Sequence, residues 1–198
     1  MILDALALPA AILVLLTSLF LLVLRDWRLI LAALGIQYIG IFLLTALSWS
    51  IEIAVVKLVT GWMSAALLGI ALINTRLSDI LEGELSRSAI VFRIFAAALA
   101  GLVAYTWGSK LIGFILEIAP PQAFGGLILL LMGLLHLGLT SRPLRVIVGL
   151  MTVLSGFEVL YAALEPAALV IGLLAAVNLS LALVGAFLIN APIAGDQE

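Results

Sequence analysis

The sequence contains no cysteine and a single histidine, His136. Disulfides, thiolate catalysis and iron–sulfur ligation within the chain are therefore excluded, and one imidazole argues against a histidine-rich metal or haem site. We accordingly predict no cofactor and no metal centre. Charged residues make up only 10% of the chain, whereas a soluble domain carries about 25%. A net charge of −2 gives no reason to expect a nucleic-acid partner.

Motifs of catalytic sites are also lacking. The sequence has no H-E-x-x-H pattern, no recognisable set of nucleophile, base and orienting group, and no glycine-rich loop that ends in lysine at the start of a soluble helix. We therefore predict no catalytic residue and no enzymatic activity of the chain by itself, and a membrane-embedded enzyme is the weakest of the functions considered.

Long apolar runs dominate what is present. Hydrophobic residues make up 66% of the chain, and the mean hydropathy is +1.39. Continuous runs of about 20 residues are long enough to cross a bilayer as helices, whereas barrel strands would alternate over about 10 residues. We predict an all-α membrane protein with seven transmembrane helices in contact with the lipid bilayer. The predicted spans are 5–24, 28–48, 52–73, 89–112, 123–140, 143–163 and 167–189.

Two parts of the sequence resemble each other. Residues 24–47 align with 141–164, and residues 63–73 align with 179–189 if one residue is dropped. This pattern favours two parallel three-helix repeats joined by one extra helix. The leucine spacing of the one sizeable polar loop suggests a short amphipathic piece at the membrane interface. The predicted divisions are a first repeat (1–73), a cytoplasmic polar loop (74–88), a linking transmembrane helix (89–118), a second repeat (119–190) and a cytoplasmic tail (191–198).

The basic residues are distributed unevenly between the two predicted sides. Lys57 and Lys110 fall toward one side, and all the arginines fall toward the other. The positive-inside rule then places the N-terminus outside and the C-terminus in the cytoplasm. We read the first run as a retained membrane helix, because it has no basic n-region and no cleavage signal. The arginines on the cytoplasmic side are Arg25, Arg28, Arg76, Arg87, Arg93, Arg142 and Arg145.

Two charged side chains lie within predicted spans, where insertion near the centre costs about 2.5–3.5 kcal/mol. Glu158, in the sixth span, is either a proton-titrating carboxylate or a near-interface group that is wetted from outside or paired with another subunit. Lys57, in the third span, either belongs to an ion relay, or snorkels to the outer surface or pairs with Glu52. The residues alone leave these alternatives open.

Uncharged polar residues and glycines within the spans have simpler explanations. Gln37, Asn178 and Ser180 are expected to hydrogen-bond between helices. His136 is a possible proton carrier, although a packed neutral histidine explains it more simply. Four glycines of the fifth span are expected to allow close helix packing: Gly125, Gly126, Gly133 and Gly138. The full set of ion-relay candidates is Lys57, Glu158, Asn178, His136, Glu52 and Gln37.

The C-terminal hairpin carries a family resemblance. A basic turn at 141–145, a Gly149-Leu150 step and an alanine-rich segment at 175–180 resemble the K subunit of complex I and the C subunit of multisubunit sodium/proton antiporters. In that family two membrane glutamates would fall on Met151 and Asn178, and neither is acidic here. Its proton relay therefore does not carry over residue by residue. Glu158, two turns outward on the face of Met151, is a candidate substitute.

The length and the N-terminal half extend this resemblance. The seven predicted spans, the segment 16–44 and the lysine-bearing stretch 55–59 resemble component E of hydrogenase-4 and of related membrane-bound hydrogenase or formate hydrogenlyase complexes. The resemblance implies a non-catalytic membrane subunit of a complex I-related assembly, packed beside antiporter-like subunits in a bacterial or archaeal cell membrane. Such an assembly translocates protons or sodium.

A self-contained small transporter or channel is the alternative. Transporters built from repeats have broken helices at matching mid-membrane positions, and the prolines of this chain are expected at helix ends, which favours the subunit. The prolines are Pro9, Pro120, Pro121, Pro143, Pro166 and Pro192.

Overall fold

A computed structural model describes residues 2–73, 87–114, 118–164 and 167–191. These residues form seven α-helices and no strand, and each helix is long and apolar enough to cross a membrane. The prediction of an all-α membrane protein with seven spans is therefore confirmed. The helices are α1 (Ile2–Val23), α2 (Trp27–Thr45), α3 (Ile51–Ile73), α4 (Arg87–Phe114), α5 (Pro120–Gly138), α6 (Pro143–Tyr161) and α7 (Ala168–Asn190).

The helix bounds differ from the predicted spans in a few places. Helix α1 begins at Ile2, so Pro9 lies inside the helix and not at its end as predicted. A membrane helix tolerates an internal proline because neighbouring groups can satisfy the freed carbonyl. Helix α4 begins at Arg87, so the predicted polar loop is shorter than expected. The rest of that loop, with its predicted amphipathic piece, and the tail beyond residue 191 lie outside the described residues.

Helices α2 and α6 form the centre of the bundle. Helix α5 packs most extensively on α6, α3 packs on α7, and α1 packs on both α2 and α5. Buried residues make up 61% of the α6 span but only 17% of the α4 span, so α4 lies at the edge of the bundle against α5. Matching helices of the two predicted repeats contact one another, but the duplication itself stays a prediction.

The contact between α5 and α6 depends on glycines. A Cβ atom at Gly156 would lie 2.5 Å from the backbone nitrogen of Leu130 and 2.8 Å from the carbonyl oxygen of Gly126. A Cβ atom at Gly133 would lie 2.7 Å from the backbone nitrogen of Val153. The two helix backbones therefore approach so closely that a methyl group does not fit.

The expected role of the α5 glycines is confirmed at three of four positions. Gly125 packs against the side chain of Leu44, and Gly126 and Gly133 face α6. The expectation for Gly138 was wrong, since no atom of the described residues lies within 4 Å of a Cβ built there. Gly138 is the last residue of α5, beyond the close contact with α6.

Arginines gather at one end of the bundle, which we call the basic end. Arg93 Nη1 donates to the carbonyl oxygen of Leu22 at 2.8 Å, and Arg145 Nη2 donates to that of Leu24 at 2.5 Å. Both arginines are buried. They satisfy carbonyl groups at the C-terminal end of α1, where the helix dipole favours a positive charge.

The other end, which we call the opposite end, is closed by uncharged groups. Ser48 donates to Gln122 Oε1 at 2.9 Å, and Gln122 Nε2 donates to the carbonyl oxygen of Val159 at 2.9 Å. Trp49 and Ile171 pack together beside them. Helices α3 and α7 both begin at this end.

Candidate functional site

Lys57 and Glu158 form a salt bridge between α3 and α6, close to the opposite end. Their side chains are only 4% and 2% exposed. Lys57 therefore neither snorkels to the surface nor pairs with Glu52, which lies exposed in the first turn of α3. Glu158 is likewise not exposed at the surface, because its partner and the surrounding helices cover it. Both charges are thus removed from bulk water and depend on each other.

The local sequences of α3 and α6 bring further polar groups to the pair. On α6, Thr152, Ser155 and Glu158 recur every three residues and form a slanted polar stripe. On α3, Lys57 and Ser64 share a face at a spacing of seven residues. All five side chains are buried. The two polar faces meet in the interior of the bundle.

Tyr38 of α2 lies between these two faces. Lys57 Nζ lies 5.2 Å from the centroid of the Tyr38 ring, a distance at which the ring attracts the ammonium group. Gly61 of α3 leaves space for the ring, because a side chain at this position would overlap it. The Ser155 hydroxyl lies next to the Tyr38 hydroxyl.

The Tyr38 hydroxyl begins a chain of hydrogen bonds across three helices. It donates to Asn178 Oδ1 of α7 at 2.8 Å, and Asn178 Nδ2 donates to Ser64 Oγ of α3 at 3.1 Å. Ser64 Oγ then donates to the carbonyl oxygen of Thr60 at 2.8 Å. Asn178 is fully buried. The prediction that Asn178 bonds between helices is confirmed, and its partner Tyr38 also contacts the charged pair.

Gln37 belongs to a second polar group, nearer the basic end. Gln37 Nε2 donates to Ser18 Oγ of α1 at 2.8 Å, and Thr152 Oγ1 of α6 lies 3.4 Å from Gln37 Oε1. The predicted interhelical bonding of Gln37 is confirmed. Ser180 was expected to behave in the same way, but its exposed hydroxyl bonds the carbonyl oxygen of Ala176 in its own helix.

The other two candidates lie apart from the pair. His136 is buried in the last turn of α5, at the basic end, and its Nε2 atom has no hydrogen-bond partner in the described part of the chain. Glu52 is exposed at the opposite end. The structure therefore brings together Lys57, Glu158 and Asn178, and it leaves His136 and Glu52 outside the site.

Sequence reasoning missed Tyr38 and Ser155. Tyr38 resembles any aromatic residue of an apolar run, and only its hydroxyl marks it as a polar group within a span. Ser155 carries a clearer signal, since it precedes Glu158 by three residues on the same helix face. Met151 and Asn178, where the resembling family has acids, are both fully buried, and of the two only Asn178 joins the polar network.

The fold and the buried charges define the class of this protein, an integral membrane protein of seven helices with a charged pair inside the bundle. A scan against protein-family models, a search of the curated proteins and a search of the solved structures each found no match.

The Tyr38 hydroxyl is expected to contribute measurable stability. Tyr38→Phe leaves the ring in place but deprives Asn178 Oδ1 of its donor, so we expect a loss of about 0.5–2 kcal/mol in the free energy of unfolding, the usual size for a hydrogen bond between membrane helices. Unfolding of the purified chain by a denaturing detergent measures this loss. Tyr105→Phe is the matched control, because Tyr105 is 67% exposed, and an equal loss in both variants would contradict the prediction.

Proposed function

We propose that this chain is an integral membrane subunit of a complex I-related assembly that translocates protons or sodium, such as a membrane-bound hydrogenase. In this proposal the chain is part of the scaffold, and the Lys57–Glu158 pair belongs to the ion path. The chain lies in the bacterial or archaeal cell membrane, with its N-terminus outside and its C-terminus in the cytoplasm. The observation that carries the proposal is the pair itself, two charges buried in a helix bundle that is otherwise strongly apolar.

Stability alone is a poor reason for such a pair. Moving two charges out of water costs several kcal/mol for each ion, and well-packed apolar residues of similar volume often stabilise a protein as well or better. Ionisable residues inside a membrane are therefore functional candidates by default. A carboxylate and an ammonium group in contact can also exchange a proton and become a neutral pair, which supports a role in proton movement.

The residues around the pair support an ion path that this chain forms only in part. Beyond the Gln37 group, buried apolar side chains of α1, α2 and α6 separate the polar groups from the arginines of the basic end; Leu21, Leu34 and Val148 are examples. This apolar layer is one to two helical turns thick, about 5–10 Å. An ion that entered at the opposite end would need a neighbouring subunit or a rearrangement to continue.

The surface of the bundle offers room for such neighbours. Helices α4 and α7 are the least buried of the seven spans described, at 17% and 22%, and they present exposed large apolar side chains such as Phe95, Leu102 and Phe187. Lipid and the antiporter-like subunits named by the family resemblance are the partners that this proposal places there.

Purification of the tagged chain in mild detergent tests the subunit assignment. We expect large antiporter-like membrane subunits to co-migrate with it. If the chain migrates alone and moves ions when it is reconstituted in vesicles, the proposal fails and the alternative of a self-contained small transporter or channel replaces it.

The double variant Lys57→Met/Glu158→Gln tests the ion path. It removes both charges together and so leaves no unpaired buried charge, which allows the chain to fold and assemble. We expect the purified assembly to retain its subunits and its redox activity while ion pumping into vesicles falls at least about tenfold, as for loss of a required proton-transfer group. Unchanged pumping would mean that the chain is only a scaffold and that the Lys57–Glu158 pair is not part of the ion path.

A further inference from the structure

A small cavity lies against the charged pair. Lys57 and Glu158 form part of its wall, and Trp49, Ile171 and Ala175 complete it together with two further apolar residues. Its volume is about 10 Å³, which is close to the space that one water molecule needs.

The cavity lies on the side of the pair that faces the opposite end of the bundle. Trp49 lies in the link between α2 and α3, and Ile171 lies in the first turn of α7. Ala175 follows one turn deeper on the same face of α7. The wall therefore extends from the end of the bundle inward to Glu158 over about two helical turns.

Unsatisfied polar atoms surround this space. Trp49 Nε1 is buried and has no hydrogen-bond partner within the described residues. Lys57 Nζ and both carboxylate oxygens of Glu158 likewise make no hydrogen bond to described residues beyond the salt bridge between them. Buried polar groups normally find partners, so a small molecule that both accepts and donates hydrogen bonds suits this space.

The polar groups in the wall of the cavity determine which small molecule or ion can bind there. An indole N–H and an ammonium group are donors only, and together they repel a metal cation. A hydrated sodium ion is larger than the cavity. Water fits, because it can accept from Trp49 and Lys57 and donate to Glu158.

We propose that this cavity is a port through which water, and with it protons, reaches the Lys57–Glu158 pair from the opposite end. This proposal deepens the proposed function, on which it rests, by assigning the proton and not sodium to this site. The water in the port passes one of its protons to a Glu158 carboxylate oxygen while it takes a proton from the next water outside, so no separate cation occupies the cavity. Transfer of that proton back to water restores the carboxylate.

Thiol accessibility in single-cysteine variants tests the port directly. The chain has no cysteine, so an introduced thiol is the only one present. Ala175→Cys places it in the cavity wall, and Ala182→Cys places it two turns deeper on the same face of α7, away from the cavity. Hydrogen peroxide is a suitable probe because it is small and uncharged, both donates and accepts hydrogen bonds as water does, and oxidises accessible thiols to sulfenic acid.

We expect hydrogen peroxide, added to sealed vesicles, to oxidise the thiol of the Ala175→Cys variant at least about tenfold faster than that of the Ala182→Cys variant, since thiol reactivity follows access to water. Mass spectrometry of the quenched chain gives both rates. Equal rates, or protection of both thiols, would overturn the port. Protection of the Ala175→Cys variant by sodium nitrate, relative to choline nitrate, would overturn the assignment to protons.

Isotope exchange at Glu158 gives a second measurement that does not depend on a new thiol. A proton on the Glu158 carboxyl gives an infrared band that the Glu158→Gln variant lacks, and deuterium from heavy water shifts this band. We expect Ala175→Leu, which fills the cavity, to slow this shift at least about tenfold relative to Ala182→Ser, because water must pass the filled space. An unchanged rate contradicts the port.

The two proposals fail in different ways. An accessible thiol at position 175 with unchanged pumping in the double variant would keep the port and remove the ion path. A protected thiol with lost pumping would keep the ion path and remove the port.

Discussion

Lys57→Met and Glu158→Gln are each expected to destabilise the protein by about 3–5 kcal/mol, whereas the double variant loses much less. Each single change leaves one charge buried without its partner, and the measured loss then includes the cost of keeping that charge away from water or neutralising it. The double change removes both charges at once. The pair therefore predicts strongly non-additive effects.

Unfolding of the four chains in detergent micelles measures this interaction. Tryptophan fluorescence is a convenient signal, because Trp49 lies in the wall of the cavity beside the pair. Glu52→Gln is the matched control: Glu52 and Lys57 share α3, but Glu52 is exposed, so we expect no change in its unfolding midpoint. If the losses of the two single variants simply add in the double variant, the two charges do not stabilise each other.

Gly156→Ala is expected to cost about 1–3 kcal/mol, although alanine is otherwise the better helix former. The added methyl group would meet the backbone of α5 at Leu130 and Gly126, and a backbone cannot rotate away as a flexible side chain can. Helices α5 and α6 must then separate along their most extensive contact. Gly156→Leu is expected to cost more, because a larger group must fit in the same space.

Gly101→Ala is the control for this prediction. Gly101 lies in the interior of α4, and no atom of the described residues lies within 4 Å of a Cβ built there. We expect a gain of up to about 1 kcal/mol, the normal difference between glycine and alanine in a helix. Detergent-induced unfolding monitored by circular dichroism compares the two variants. A loss at Gly101 equal to that at Gly156 would mean that close packing against α5 is not the cause of the loss at Gly156.

The predicted number and type of helices agree with the structure because hydropathy is a local property that adds along the chain. Any run of about 20 apolar residues must satisfy its backbone hydrogen bonds internally, and a helix does so without help from the rest of the chain. The ends were harder to predict, as Pro9 and Arg87 illustrate. Pro9 lies inside α1, because a proline does not end a membrane helix by itself, and α4 begins at Arg87, two residues before the predicted span.

Single polar residues within the spans are also visible in the sequence, because a charge or an amide within an apolar run is conspicuous. This criterion finds Lys57, Glu158 and Asn178 of the site, and Gln37 of the second polar group. It also finds His136, which the structure places at the other end of the bundle. A polar residue inside a span indicates that it needs a partner, but it does not indicate which partner.

Only the tertiary structure decided that Lys57 pairs with Glu158, and that Tyr38 joins this pair to Asn178. These contacts connect helices that are far apart in the sequence, and lipid is as apolar as leucine, so hydrophobicity does not choose which helix faces meet. Close packing at glycines and the matching of polar groups make that choice. The sequence by itself determined seven membrane helices and the charges inside them, and the packing of those helices turned two separate charges into one buried pair.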